Sequence, residues 1–313
     1  MSAPKILITD YTWPDTAVER RVLSEIGAEV IEAPNGDEDT LVRLAEGVSA
    51  IMTCFAHVTP AVIDAAAATL KLVARYGVGV DNIAVDAATH HGIPVTNVPA
   101  YCVDEVAEHV LAMIFALERG LPTYDRAVRD NDWRLRADLG TRRIRGRTVG
   151  IVGGGRIGSA LAARCEALGM RVLIHHPRSP RAGDPSLFDL LGQSDYVSLH
   201  VPLTSDTAHM VNDDFLQAMQ PDAYLINTAR GAVVDPSALE RALTRGWIAG
   251  AGIDVFEPEI LPPGHPLLAQ PRLLATPHTA FSSRESIASL AEQAAQSVVD
   301  VLTGRTPASV VNQ

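Results

Sequence analysis

The stretch RTVGIVGGGRIGSALAARCEALGMRVLIHH, residues 147–176, decides the fold of this chain. It contains an apolar run (TVGIV), a run of three consecutive glycines, an alanine-rich run of helix-forming residues and a second apolar run (MRVLIHH). This order predicts a strand, a tight turn, a helix and a parallel strand, in which the start of the helix binds a pyrophosphate. A glycine match alone is weak in a chain with 23 glycines, but all the flanking elements are present here.

The turn itself matches the pattern G-x-G-x-x-G of dinucleotide-binding proteins. Glycine at the first two positions lets the backbone approach a pyrophosphate, and glycine at the last lets the helix pack against the strand. The alternative is a tight turn with a purely structural role. We predict dinucleotide binding, with contacts from Gly153, Gly155, Arg156, Ile157 and Gly158.

The end of the second strand indicates which dinucleotide is bound. NAD-binding units place an Asp or Glu there, which accepts a hydrogen bond from the ribose 2′-hydroxyl. Here His176 takes that place, the nearest acidic residue is Asp184, and Arg178 and Ser179 follow almost at once. A guanidinium binds a phosphate bidentately, whereas a carboxylate repels it. We therefore expect NADP(H) to be favoured, with NAD(H) possible; the alternative is that the arginines are merely exposed.

Strand-like and helix-like runs alternate along almost all of the 313 residues, which indicates parallel sheets covered by helices. We predict an α/β protein with two Rossmann-like, doubly wound parallel-sheet domains. The dinucleotide-binding domain, residues 100–283, is expected to be inserted into the other domain, residues 1–99 with 284–313. A long helix after Pro99 is expected to lead from one domain into the other.

Composition limits the partners that this chain can have. It contains 26 Lys and Arg against 37 Asp and Glu, a formal net charge of −11, which argues against nucleic-acid and anionic membrane surfaces. No apolar run approaches the roughly 18 residues of a spanning helix, and no signal peptide is expected. Three scattered cysteines favour neither a disulfide framework nor a zinc site. We expect a cytoplasmic protein without a bound metal and without nucleic-acid or membrane partners.

Polar side chains follow three predicted strands of the second domain. Arg230 comes shortly after AYLIN, Glu259 after AGAGIDV and His278 soon after RLLAT. Ligands of open α/β sheets bind beyond the carboxyl ends of the strands. An arginine is rarely fully buried unless it is paired, and a lone histidine is usually structural. The three side chains together, beside a dinucleotide site, indicate catalysis.

The chain resembles the D-isomer-specific 2-hydroxyacid dehydrogenases over nearly its full length. The similarity rests on stretches that occur in the order typical of this family, namely ARYGVGVDNIAVDAATHHGIPVTNVP, TVGIVGGGRIG, SLHVPLTSDTAHMVN, INTARGAVVD, AGAGIDVFEPE and ATPHTA. The resemblance implies an NAD(P)-dependent oxidoreductase that interconverts a D-2-hydroxy acid and its 2-oxo acid. The acid itself is not identified, and glyoxylate, hydroxypyruvate and larger 2-oxo acids all stay open.

The family's catalytic residues match Arg230, Glu259 and His278. The resemblance implies that Arg230 binds the carboxylate and carbonyl oxygen of the substrate. His278 is then the proton donor, and Glu259 stabilises the protonated histidine.

The resemblance also assigns the first domain as a flavodoxin-like substrate domain. Its RYGVGVDN loop, residues 75–82, implies substrate contacts from Tyr76, Val78 and Gly79. The resemblance implies further cofactor contacts at strand ends of the second domain, from His200, Val201, Pro202, Thr207, Thr228, Ala229 and Asp254. It places Asp254 near the nicotinamide carboxamide. For His200, Pro202 and Thr207, the alternative is ordinary packing at the strand ends.

Further expectations follow from the resemblance. The helix after Pro99 builds a homodimer in this family, so we expect a homodimer here. Ile260 stands where many relatives have proline, which concerns only the local loop shape.

The stretches YCVDEVAEHV and TPHTAFSSRES are similar to a branch related to the C-terminal-binding proteins, which bind dinucleotide and act mainly as corepressors. The alternative function is therefore a dinucleotide-sensing, corepressor-like protein with little catalysis.

Overall fold

The structure is a computed structural model that describes residues 3–134 and 140–312. It divides into two compact units. The first unit holds the residues up to Tyr101 and those from Ser283 onward, and the second unit is Cys102–Ser282. Within the described residues, no helix is both long enough and apolar enough to cross a bilayer.

The first unit is built on a five-stranded parallel sheet in the order β2-β1-β3-β4-β5. Its strands are β1 (Lys5–Ile8), β2 (Glu29–Glu32), β3 (Ala50–Thr53), β4 (Leu72–Arg75) and β5 (Val95–Thr96). Its helices are α1 (Ala17–Leu23), α2 (Glu38–Ala45), α3 (Pro60–Ala66), α4 (Val85–His90) and the C-terminal helix α11 (Arg284–Leu302).

Helices cover both faces of this sheet because successive side chains of a strand point to opposite faces. In β1, Ile6 and Ile8 pack in one apolar cluster with Leu290 of α11, whereas Leu7 packs in a second cluster with Leu41 of α2. Strands β3 and β4 are buried along their whole length, as is typical of parallel strands with helices on both sides.

The second unit contains a six-stranded parallel sheet in the order β11-β10-β9-β8-β6-β7. Its strands are β6 (Thr148–Val152), β7 (Arg171–His175), β8 (Tyr196–Leu199), β9 (Tyr224–Asn227), β10 (Gly250–Ile253) and β11 (Leu273–Ala275). Its helices are α5 (Val103–Glu118), α6 (Leu121–Arg129), α7 (Arg156–Ala167), α8 (Leu187–Gln193), α9 (Asp213–Ala218) and α10 (Pro236–Arg245).

The two parallel α/β sheets confirm the predicted fold class. In the second unit, β6 lies between β7 and β8. After β6 the chain forms β7 on one side of it and then crosses over to form β8 on the other side. Ligands of such sheets bind at this switch point, beyond the carboxyl ends of the strands. The order of strands therefore places the glycine-rich turn after β6 at the position where a ligand is expected.

Candidate active site

The turn after β6 requires glycine at two positions for different reasons. Gly153 has a φ of +107°, and a Cβ there would lie 2.5 Å from the carbonyl oxygen of His200, at the end of the neighbouring strand β8. A Cβ on Gly158 would collide with the carbonyl oxygen of Gly153, so only glycine lets α7 start this close to the turn. The constraint at Gly158 is the close start of the helix that the sequence predicts, whereas the constraint at Gly153 comes from the turn and its contact with the end of β8.

Open space lies beside this turn, and a buried hydroxyl without a hydrogen-bond partner follows another strand of the same sheet. A Cβ on Gly155 would meet no atom within 4 Å, and no side chain caps the start of α7 there. Free N–H groups at a helix start bind phosphate. The hydroxyl of Thr228, after β9, is buried and has no hydrogen-bond partner in the described chain. These features fit a bound dinucleotide, which Gly155, Arg156 and Thr228 would hold.

His176 follows β7 and forms a pair that the sequence did not predict. Its Nδ1 lies 2.9 Å from Asp184 Oδ2, and the same oxygen accepts a hydrogen bond from the backbone N–H of Arg181 at 2.8 Å. The Arg181 N–H and the imidazole lower the pKa of Asp184. A carboxylate thus lies beside the predicted ribose reader, eight residues away along the chain. Arg178 and Ser179 are exposed in the same segment.

The segment after β8 is shaped by its own hydrogen bonds. Thr207 is buried, and its hydroxyl donates to the carbonyl of Pro202 at 2.6 Å, so it stabilises the loop rather than presenting a free hydroxyl. His200 Nε2 lies 2.8 Å from the Ser198 hydroxyl, and burial lowers the pKa of His200 to about 4, which makes its ring neutral at pH 7. Val201 is buried in the core beneath the loop.

Arg230 follows β9 in a turn organised by Asn227, the last residue of that strand. Asn227 is fully buried, its side-chain amide donates to the carbonyl of Arg230 at 2.9 Å, and its Oδ1 accepts from the N–H of Ala229 at 3.0 Å. The Arg230 side chain is half-buried, and its Nη1 donates to the carbonyl of Ala229 at 2.7 Å. The guanidinium is therefore held at the carboxyl end of the sheet.

Glu259 and His278 form a direct pair. Glu259 Oε1 lies 2.5 Å from His278 Nδ1, with the glutamate half-exposed and the histidine side chain 22% exposed. The ring of Phe281 packs edge-on against the imidazole at 6.1 Å. The backbone of His278 has a φ of +54°, a left-handed conformation that is uncommon for a residue with a side chain and is often found at functional sites.

Asp254, at the end of β10, holds the segment that carries His278. Its buried carboxylate accepts hydrogen bonds from the Thr276 hydroxyl at 2.6 Å, the Thr279 N–H at 2.9 Å and the Ala280 N–H at 3.0 Å. Its carbonyl accepts from the N–H of His278 at 2.7 Å. Sequence reasoning assigned this side chain only to the cofactor, because the pattern does not reveal which donors surround a strand-end carboxylate.

The sheet order brings the predicted catalytic residues together. Arg230, Glu259 and His278 follow β9, β10 and β11, which are neighbours in the sheet, and the glycine-rich turn follows β6 at the same edge. Neighbouring strands lie about 4.8 Å apart. A guanidinium, a carboxylate and an imidazole therefore share one edge with a dinucleotide-type turn.

The predicted substrate residues of the first unit are of two kinds. Val78 is exposed and Gly79 is half-buried in the loop after β4. Tyr76 is only 1% exposed, and its ring packs edge-on against Trp13 at 5.0 Å in the core of that unit. Its side chain is thus a core group, and any substrate contact of Tyr76 is left to its backbone.

Comparison with known proteins gives a consistent result. A protein-family model described as D-isomer specific 2-hydroxyacid dehydrogenase, NAD binding domain, matches residues 111–280. A glyoxylate reductase of Korarchaeum cryptofilum is 40% identical over 295 residues, which cover 90% of this chain and 88% of that protein.

Solved structures are similar over almost the whole chain. An NADPH-dependent glyoxylate/hydroxypyruvate reductase of Sinorhizobium meliloti, in complex with NADP and malonate, has a TM-score of 0.88 at 32% identity, covering 99% of this chain and 97% of that one. A D-lactate dehydrogenase of Aquifex aeolicus, complexed with NAD and lactic acid, has a TM-score of 0.89 at 29% identity, covering 98% and 99%.

Proposed function

Because this chain belongs to the D-isomer specific 2-hydroxyacid dehydrogenase family, we propose that it reduces a small 2-oxo acid with Arg230, Glu259 and His278 as its catalytic residues. The chain is an oxidoreductase that acts on CH–OH donors with a nicotinamide dinucleotide. One observation carries the assignment of residues. The three side chains follow adjacent strands of the sheet that also bears the glycine-rich turn.

Arg230 is proposed to bind and orient the substrate. A bound nicotinamide supplies the hydride that reduces C2 of the 2-oxo acid. The planar guanidinium of Arg230 can bind carboxylate and carbonyl oxygens with parallel hydrogen bonds, which fixes the acid and polarises its carbonyl. The Asn227 hydrogen bonds fix the backbone from which this side chain extends.

His278 is proposed to supply the proton. Glu259 binds Nδ1, and the other ring nitrogen, Nε2, is proposed to donate a proton to the oxygen that becomes the hydroxyl. The Glu259 carboxylate favours the protonated ring that this step requires. In the direction of oxidation the same nitrogen accepts the proton.

The substrate is proposed to be a short 2-oxo acid such as glyoxylate or hydroxypyruvate. The support is the naming of the similar proteins as glyoxylate reductase and glyoxylate/hydroxypyruvate reductase. A corepressor-like binding protein is not favoured, because those relatives are named as enzymes and the matching catalytic residues are all retained.

We propose NADP(H) as the favoured form of the cofactor, with NAD(H) accepted. The support is the exposed pair Arg178 and Ser179 after β7, and the absence of a carboxylate at position 176 itself. Asp184 reduces the positive charge of this segment, so the preference is expected to be moderate rather than absolute.

We also propose a homodimer and a cytoplasmic location. Large apolar side chains are exposed on and after α5 and α6, at Phe115, Leu121, Val128 and Trp133, as expected for a surface that a second copy covers. The three cysteines are buried and form no disulfide, which suits a reducing compartment. Sedimentation of the protein before and after Leu121→Asp with Val128→Asp tests the dimer.

A substrate panel tests the function. Purified protein is assayed with glyoxylate, hydroxypyruvate, pyruvate and larger 2-oxo acids, each with NADPH and with NADH, beside His278→Gln as the inactive control. We expect turnover of the shorter acids and its loss in the variant. Tight dinucleotide binding without turnover of any acid would favour the corepressor-like alternative.

A further inference from the structure

A second histidine–glutamate pair lies close to the catalytic residues. His209, in the segment after β8, forms a hydrogen bond between its Nε2 and Oε2 of Glu257. Both side chains are about half-exposed. Glu257 precedes Glu259 by two residues in the segment after β10. This pair therefore connects two segments that are 48 residues apart in the chain, one of which carries a catalytic side chain.

The backbone of His209 connects a third segment. Its N–H donates to the carbonyl of Ala232 at 2.8 Å, and the N–H of Val211 donates to the carbonyl of Val233 at 3.1 Å. Ala232 follows Arg230 by two residues. One residue is thus bound through its backbone to the Arg230 segment and through its side chain to the Glu259 segment.

These two catalytic segments also touch each other directly. A Cβ on Gly231, the residue after Arg230, would collide with the backbone carbonyl of Phe256, the residue before Glu257. Gly231 is buried. The backbones that carry Arg230 and Glu259 are therefore in close contact at this point, and His209 joins both beside it.

The backbone of His209 has a conformation that is uncommon for a residue with a side chain. Its φ is +50°, in the left-handed region that a residue with a side chain adopts only at an energetic cost. Such conformations persist where the surrounding contacts over-determine them, and they gather at functional sites. Among the described residues that are not glycine, His278 and Asn131 are the others with positive φ.

We propose that His209 and Glu257 are positioning residues that hold Arg230 and Glu259 in register for catalysis. This inference rests on the proposed function, because it needs those two residues to be catalytic. Neither His209 nor Glu257 has to touch the substrate. Removing the side chain of His209 or Glu257 leaves Arg230, Glu259 and His278 unchanged as residues. It loosens the backbone from which Glu259 reaches His278.

The test uses Glu257→Ala and His209→Asn, since asparagine tolerates positive φ but is too short to reach Glu257. We expect each variant to lower kcat by about 10- to 100-fold, because small displacements of catalytic groups are costly. Dinucleotide Kd, measured by fluorescence, should change less than about twofold. The basic limb of the pH–rate profile should move to lower pH, the direction that is also expected for Glu259→Gln.

Two further variants make the result specific. The double variant should be no slower than the slower single variant, because both changes break one pair. Glu257→Gln should recover most of the activity, since its amide oxygen still accepts from the His209 ring. The matched control is Asp64→Ala, which removes a similarly exposed pair with His91, at 2.7 Å, in the first unit; its kcat should equal that of the wild type.

The outcomes separate this inference from the proposed function. Wild-type kcat and an unmoved basic limb in both single variants overturn the inference, and so do additive losses in the double variant. Arg230→Lys and His278→Gln are measured in the same series. If those two retain activity, the proposed catalytic residues are wrong; if they are inactive while Glu257→Ala and His209→Asn are normal, only the positioning role is wrong.

Discussion

The Nδ1 atom of His278 lies 2.5 Å from Oε1 of Glu259, while the backbone N–H of the same histidine donates to the carbonyl of Asp254 at 2.7 Å. One residue is thus held by a carboxylate on its ring and by a strand end on its backbone. Nε2, the other ring nitrogen, is the atom proposed to exchange a proton with the substrate. The Asp254 carboxylate holds the same segment through Thr276, Thr279 and Ala280, so the carboxylates of Glu259 and Asp254 can be tested separately.

Glu259→Gln tests the contact on the ring. The variant keeps a hydrogen-bond acceptor but removes the negative charge, so the imidazolium loses its electrostatic stabilisation. We expect the basic limb of kcat/KM for reduction to move to lower pH, with lower activity at neutral pH. Profiles of wild type and variant from pH 5 to 10 measure this effect, with the half-buried Glu240→Gln on α10 as control. Superimposable profiles would show that the two residues do not communicate.

Asp254→Asn tests the side-chain hydrogen bonds that hold the segment around His278. The amide can replace only part of a carboxylate that accepts from Thr276, Thr279 and Ala280, because its NH₂ group faces an N–H donor. We expect kcat to fall by about 10- to 100-fold as the His278 segment loosens. Asp235→Asn, which alters a helix cap in the same unit, is the control. A raised dinucleotide Kd with normal kcat would instead support the cofactor contact implied by the family resemblance.

Arg230→Lys tests substrate orientation. Lysine keeps the charge but loses the planar pair of donors, so the 2-oxo acid is no longer fixed through its carboxylate and carbonyl oxygens. We expect kcat/KM to fall by at least about 100-fold with dinucleotide Kd nearly unchanged. Arg241→Lys, at a surface ion pair with Asp213, should behave as wild type. Lost dinucleotide binding with surviving turnover would make Arg230 a cofactor or structural residue.

The parts of this protein that could be predicted from sequence are those that local pattern determines. The turn from Gly153 to Gly158 needs glycine at its own backbone positions, and the runs before Arg230 and His278 are apolar enough to be strands. Because parallel strands end at one edge of a sheet, their order in the chain was enough to expect the proposed catalytic side chains there.

The parts that could not be predicted depend on contacts between distant segments. Asp184 pairs with His176 because the segment between them folds back, and the pattern HHPRSPRAGD contains no signal of that path. The pair of His209 and Glu257 spans 48 residues, and nothing in either local sequence selects the other. Tyr76 belongs to a motif that implies substrate binding, yet its ring fills the core.

Glu19→Gln is expected to change how stability depends on pH. Glu19 is fully buried in the first unit, where burial raises its pKa above the usual glutamate range and Trp13 Nε1 donates to it at 3.1 Å. A carboxyl whose pKa is raised in the folded state contributes stability that is complete at low pH and declines as pH rises through the folded-state value. The glutamine variant lacks this decline.

The measurement for Glu19 is the melting temperature of both proteins from pH 4 to pH 8. The difference in Tm, variant minus wild type, should rise with pH by a few degrees. The exposed Glu25→Gln should give a constant difference. A constant offset for Glu19→Gln would mean that Glu19 is ionised at every pH tested or exchanges protons without linkage to folding.

The preference for NADPH is expected to depend on Arg178. Its guanidinium is exposed after β7, next to Ser179, and a charge-assisted contact with a 2′-phosphate is worth about 1–3 kcal/mol. Arg178→Ala should therefore reduce the ratio of kcat/KM for NADPH over NADH by about tenfold. Arg171→Ala is the control, because Arg171 is an equally exposed arginine at the opposite end of β7.

Asp184→Asn completes the test of cofactor choice in the opposite direction. The Arg181 N–H and His176 keep the pKa of Asp184 low, so its carboxylate is charged near neutral pH and opposes a nearby phosphate. Its neutral replacement should raise the NADPH-to-NADH ratio of kcat/KM. If the wild type instead prefers NADH and Asp184→Asn weakens NADH use, the pair of His176 and Asp184 recognises the ribose 2′-hydroxyl in place of a carboxylate at position 176. The proposed catalytic roles of Arg230, Glu259 and His278 would stand in either case, because they depend on β9, β10 and β11 and not on the segment after β7.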